Sequence, residues 1–107
     1  MAEDHVGKAA DPAQIKKASE RAKLTRQTEL RDLLHVLDER PGRRVVWRLL
    51  AQAGVFKTSF HPSGSGVYFN EGKRQIGLTL MADIMEADPT AYLKMAQEAQ
   101  SDEAKQA

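Results

Sequence analysis

The stretch LRDLLHVLDERPGRRVVWRLLAQAG, residues 30–54, decides the fold. Leu30, Leu33, Leu34 and Leu37 recur at i, i+3, i+4 and i+7, the spacing that stacks apolar side chains along one side of an α-helix. Near Glu39 the pattern stops. Pro41 cannot continue a helix but opens one well, and Gly42 beside it sharpens the break. Beyond it Val45, Val46, Leu49, Leu50 and Ala53 fall within about 140° of arc at about 100° per residue, and Gly54 follows as a left-handed cap. Two amphipathic helices joined so tightly must bury their stripes against further helices, which makes the chain all-α.

Working back from Leu30, Asp11 and Pro12 read as N-cap and first helical residue, with Gln14 completing a capping-box pattern. From there to Arg26 the apolar stripe is thin, consisting of Ile15, Ala18 and Ala22 among Lys16, Lys17, Glu20, Arg21 and Lys23. Such a helix hardly holds itself against a core and is expected to project as an arm. Residues 1–10 lack periodicity and are expected to be disordered.

Working forward from Gly54, residues 57–67 are rich in Ser, Gly and Pro and read as a loop. Phe56, Phe60, Tyr68 and Phe69 flank it and are expected to pin it to the core. Asn70 then reads as the cap of a third core helix carrying Ile76, Leu80, Met81, Ile84 and Met85. Gly77 lies beside that apolar face, where its cost in helix propensity implies the close approach of another helix. Asp88 and Pro89 repeat the start signal for a last helix with Tyr92, Leu93, Met95 and Ala99. The expected architecture is a small three- to four-helix domain over residues 29–100. It has a weakly packed helical arm at 11–28, a polar tail at 101–107 and one aromatic-pinned loop. Its core is expected to contain Leu33, Leu34, Leu37, Val46, Leu49, Leu50, Ile76, Leu80 and Ile84.

A chain of 107 residues supports one modest core. The absence of cysteine excludes disulfides, thiolate metal sites and thiol catalysis. No run approaches the roughly 20 apolar residues of a membrane span, and Glu3 and Asp4 stand where a signal peptide needs an apolar run. The expectation is therefore a soluble protein made in the cytoplasm. Net charge is +1, yet the charge is sorted: residues 40–74 hold 7 basic side chains against Glu71 alone, and residues 75–107 hold 2 basic and 6 acidic. Either a basic surface faces an acidic partner, or the two segments face each other within the fold.

Little in the sequence suggests catalysis. His5, His35 and His61 are dispersed and in no metal-ligand spacing, so neither metal nor cofactor is expected. Asp32 and His35, three apart on a helix, read as an ordinary surface pair. Gly66 and Gly72 enclose one residue too many for a phosphate loop, and Arg74 stands where that motif needs a hydroxyl. Asn70, Lys73 and Arg74 at a helix start are a weak anion-binding candidate, against the plainer reading of a capped helix with solvated charges. The strongest cluster is Arg40, Arg43, Arg44, Trp47 and Arg48. Arg40, Arg44 and Arg48 form an i, i+4, i+8 ridge opposite the apolar face, with Trp47 about 130° from its centre. Trp and Arg are typical of binding hot spots, while a tryptophan covered by the following loop is the structural alternative.

The runs Gly42-Arg43-Arg44-Val45-Val46-Trp47-Arg48-Leu49-Leu50, Ala53-Gly54-Val55-Phe56, Ser59-Phe60, Phe69-Asn70-Glu71-Gly72-Lys73-Arg74 and Ile76-Gly77-Leu78, with Pro89, Tyr92 and Met95, resemble a small family of short-tailed bacteriophage (podovirus) proteins named after a Bordetella phage member. The resemblance covers roughly residues 30–99. Lys73 and Gln75 depart from its usual arginine and asparagine. It implies a phage protein from the head and portal region and carries over no catalytic residue. The expected function is a non-enzymatic virion or head-assembly protein, internal or associated with portal, capsid or ejection proteins, present in several copies and located in the virion. The alternative is a small nucleic-acid-binding module whose Arg/Trp segment contacts DNA. A small-molecule substrate is not expected.

Overall fold

The computed structural model describes residues 11–106, so the expectations for residues 1–10 and for Ala107 lie outside the described residues. Four helices follow one another: α1 Pro12–Asp38, α2 Arg40–Ala53, α3 Gly64–Ala87 and α4 Ala91–Gln106. Among the described residues there is no strand, and the fold is all-α.

Each boundary has a local cause. The Asp11 carboxylate accepts a hydrogen bond from the Ala13 amide at 3.0 Å, and Pro12 occupies the first helical position where no N–H is missed. At the other end Pro41 has no N–H to donate back to α1, and Glu39 turns to extended backbone, φ −113° and ψ 149°. The chain folds back so sharply that a Cβ on Gly42 would collide with the Val36 carbonyl. Gly54 closes α2 at φ 80° with its amide on the Ala51 carbonyl.

Four boundaries correct the sequence reading. The thin-striped segment and the leucine-rich helix are one uninterrupted helix, α1, because nothing between Arg26 and Leu30 breaks it. α3 is capped by Ser63 and not by Asn70: the Ser63 hydroxyl accepts from the Gly66 amide at 3.1 Å, and this cap outweighs the low helix propensity of Gly64 and Gly66. α4 begins at Ala91, with Thr90 as the residue before it. The Asp88 carboxylate accepts from both the amide (3.0 Å) and the hydroxyl (2.7 Å) of Thr90, leaving Pro89 in the connecting turn. Residues 101–106, expected as a tail, complete α4.

α2 and α3 form the centre, each packing on the other and on both α1 and α4. The buried apolar set is small: Leu37, Val46, Leu50, Ile84, Ala91 and Met95, lined by the partly buried Leu33, Trp47, Val55, Leu80, Met81 and Tyr92. Leu34, Leu49 and Ile76 were expected in it and are exposed. They lie on the flanks of their stripes, and a flattened assembly of 68 × 40 × 16 Å has no neighbour to cover flanks. Ala91 and Met95 take their place because α4 packs lengthwise along α2, with Tyr92 beside Trp47, Glu98 on Arg43 and Asp102 on Arg40. Gly77 is buried where α3 meets the end of α2; a Cβ there would lie 2.7 Å from that of Ala53 and collide with Val55. The radius of gyration, 19.8 Å, compares with about 13 Å for a compact chain of this length. Residues 12–25 of α1 account for part of the excess, since all are exposed.

Candidate docking surfaces

The arginines of α2 meet the acidic residues of α4, so the sorted charges face each other within the fold. Arg43 is buried and donates four hydrogen bonds. Its Nε and Nη2 donate to the two oxygens of Glu98 at 2.7 and 3.0 Å, and its Nη1 donates to the carbonyls of Leu37 and Asp38 at 2.9 and 3.0 Å. Those carbonyls are the ones the Pro41 break leaves unpaired at the end of α1. The paired guanidinium holds the Glu98 carboxyl below its ordinary range, and the carboxylate in turn raises Arg43. Arg40 donates to Asp102 at 2.8 Å, and Arg44 lies 3.9 Å from the same carboxylate. Arg48 is exposed and forms no ion pair among the described residues.

Trp47 is half-buried between two rings, Phe56 at 5.0 Å and Tyr92 at 5.9 Å between centroids, both tilted. Phe56 is the second residue after the Gly54 cap, so of the loop expected to cover Trp47 only this first aromatic lies on it, with Tyr92 added from α4. A groove of about 410 Å³ runs between α2 and α4, lined by Arg44, Trp47 and Arg48 on one wall and Ala99, Asp102 and Glu103 on the other. Four of the five sequence-selected residues are thus brought together at its surface, while Arg43 sits beneath as an internal tie.

Asn70, Lys73 and Arg74 also converge, on a groove of about 230 Å³ beside Lys57, Thr58 and Ser59. Because the α3 cap is Ser63, seven residues before the expected cap Asn70, their backbone amides serve the helix and are not free for an anion. The remaining cations are partly engaged: Lys73 lies 5.0 Å from the Phe69 ring centre, and Arg74 is 3.9 Å from Glu71, which also accepts from the Ser59 hydroxyl. Asp32 and His35 are both exposed on α1 and share no hydrogen bond. Among the described residues no group of three or more His, Cys, Asp or Glu is placed to hold a metal ion, and no helix is long and apolar enough to cross a membrane.

The aromatic loop anchors behave differently from expectation. Phe60, Tyr68 and Phe69 do not pin the loop; they are 79, 80 and 66% exposed. Once α3 is extended back to Gly64, Tyr68, Phe69 and Ile76 (74% exposed) fall within about 100° of arc on the face turned away from Gly77 and Ile84. Gly72 lies between them with open space above it. Spacing alone does not show this apolar strip, because a helix capped at Asn70 leaves Tyr68 and Phe69 in the loop. The signal for it is the Ser63-to-Gly66 cap together with the angular offset of Ile76 from Ile84.

No curated protein and no solved structure matches the chain. The family model described as Bbp19-like phage protein matches residues 31–97, from the second half of α1 into α4, and so takes in the α2 arginines, the α3 strip and most of the core. With well over half its length matched and the quoted runs in place on α2 and α3, this chain belongs to the Bbp19-like phage protein family.

Proposed function

We propose that the protein is a non-enzymatic component of a phage particle or of its assembly, internal to the virion or associated with portal, capsid or ejection proteins, and that it docks through the outer face of α3. The observation that carries this reading is the side-by-side exposure of Tyr68, Phe69 and Ile76 in a domain with six buried apolar side chains among the described residues. Exposed apolar patches on small soluble domains mark interaction sites, and aromatic side chains are enriched at the centres of interfaces. A flattened fold with so small a core also gains stability from whatever covers it. Arg44, Arg48 and the open edge of Trp47 supply a second, polar contact at the α2–α4 groove.

The experiment is particle incorporation. Phage carrying Tyr68→Ser, Phe69→Ser and Ile76→Ser together are purified, and copies per particle are counted by mass spectrometry. The expected result is loss of the protein from particles, with the isolated variant melting at an unchanged temperature because none of the three side chains is buried. Incorporation at the normal level removes the strip from the docking account. Absence of the unaltered protein from both particles and assembly intermediates overturns the reading as a whole.

A further inference from the structure

The α2 arginines are the densest basic run in the sequence, yet Glu98 and Asp102 offset much of their charge. The projecting half of α1 carries the opposite situation. Between Pro12 and Thr28 it holds Lys16, Lys17, Arg21, Lys23 and Arg26 against the single acid Glu20. Of these cations only Arg26 is paired among the described residues. It donates to Asp83 at 2.7 Å and to Glu86 at 2.9 Å on α3, and this tie fixes how α1 is rolled about its axis.

At about 100° per residue, Arg26 points with Leu33 and Leu37 toward the body of the protein. Lys16, Lys17, Arg21 and Lys23 occupy an arc of about 160° centred roughly 140° away from Arg26, and Arg31 continues the same band. The cations therefore face outward, away from Asp83 and Glu86. All are exposed.

We infer that this outward face of α1 binds the phosphate backbone of duplex DNA without reading its sequence. Three of the four arm cations are lysines, long flexible point charges that suit phosphates and are depleted from protein–protein interfaces. The face offers no aromatic anchor, Leu24 being its only large apolar side chain. The opposite face, Ile15, Ser19, Ala18 and Ala22, is too weakly apolar to lie in a lipid surface. The arm lies outside the matched span 31–97 and is separate from the α3 strip, so the inference is independent of the docking proposal.

Salt is the measure, using the full chain and a duplex of random sequence. Four phosphate contacts give a slope of about −3.6 in log K against log salt, so affinity falls roughly 150-fold between about 50 and about 200 mM salt. The variant combining Lys16→Gln, Lys17→Gln, Arg21→Gln and Lys23→Gln keeps α1 helical, glutamine being a good helix former, and is expected to lose measurable binding at the lower salt. Glu20→Gln removes the one acid on the face and is expected to tighten binding about threefold to fivefold, a gain that misfolding cannot produce. Arg44→Gln with Arg48→Gln is expected to leave DNA affinity within about twofold. No binding by the unaltered chain at about 50 mM salt, or undiminished binding by the quadruple variant, overturns the inference. Equal affinity for polyglutamate, or for phosphatidylglycerol vesicles, overturns it in favour of an acidic protein surface or a membrane.

Discussion

Arg43 and Glu98 form a two-bonded ion pair, at 2.7 and 3.0 Å, through which one guanidinium joins three helices. It stands on α2, holds α4 through the carboxylate, and closes the end of α1 by donating to the Leu37 and Asp38 carbonyls. Four hydrogen bonds from one side chain make it the polar counterpart of the small apolar core. Removing it leaves a carboxylate and two carbonyls unsatisfied in a half-closed interior. Arg43→Ala is expected to cost roughly 3 kcal/mol, as the breaking of buried pairs does, and Arg43→Lys more than half of that, since an ammonium cannot span both partners. Urea midpoints of the two variants check this, and an unchanged midpoint for Arg43→Ala would remove the clamp from the account.

Acid should loosen the same clamp. In the folded chain the Glu98 carboxyl titrates below its ordinary value because Arg43 bonds its ionised form, so this stabilisation is complete above the unfolded value of about 4.3 and is lost as pH falls through the lower folded value. Asp88, bonded by Thr90, is shifted in the same direction and adds to the acid limb. Glu98→Gln is expected to be less stable at neutral pH and to show a shallower decline between about pH 5 and pH 2.5. A decline as steep as that of the unaltered chain would mean that other carboxylates govern acid unfolding.

The register of α2 can be read from two neighbouring leucines. Leu50 is fully buried and Leu49 is 47% exposed, so Leu50→Ala is expected to cost about 2 to 5 kcal/mol and Leu49→Ala less than about 1. Equal losses in thermal melts would show that another surface covers Leu49 in solution, such as a second copy of the chain.

Two glycines of α3 should respond in opposite senses to the same change. A methyl on Gly77 meets Ala53 and Val55, so Gly77→Ala is expected to destabilise by about 1 to 3 kcal/mol despite the gain in helix propensity. Gly72 has open space around it, and Gly72→Ala is expected to stabilise by about 0.5 to 1 kcal/mol. Destabilisation by Gly72→Ala would mean that something seats on the strip in the isolated protein.

Periodicity alone determined the all-α class, the break at Pro41, the Gly54 cap, the close approach at Gly77 and the burial of Leu37, Val46, Leu50 and Ile84. These follow from local sterics and from stripes narrow enough to face one way. The sequence also contained the charge sorting that brings Arg40 and Arg43 to Glu98 and Asp102, though not the choice between an internal and an external partner for it. That choice needed the path of α4 along α2, which no spacing within either helix specifies. The exposure of Leu34, Leu49 and Ile76 was likewise decided by tertiary structure, because a flank residue is buried only if a neighbouring element lies beside it. Tyr68 and Phe69 show the same limit at a helix start: whether the chain after Ser63 is loop or helix turns on one hydroxyl-to-amide bond, and that bond decides whether two aromatic rings face the core or solvent.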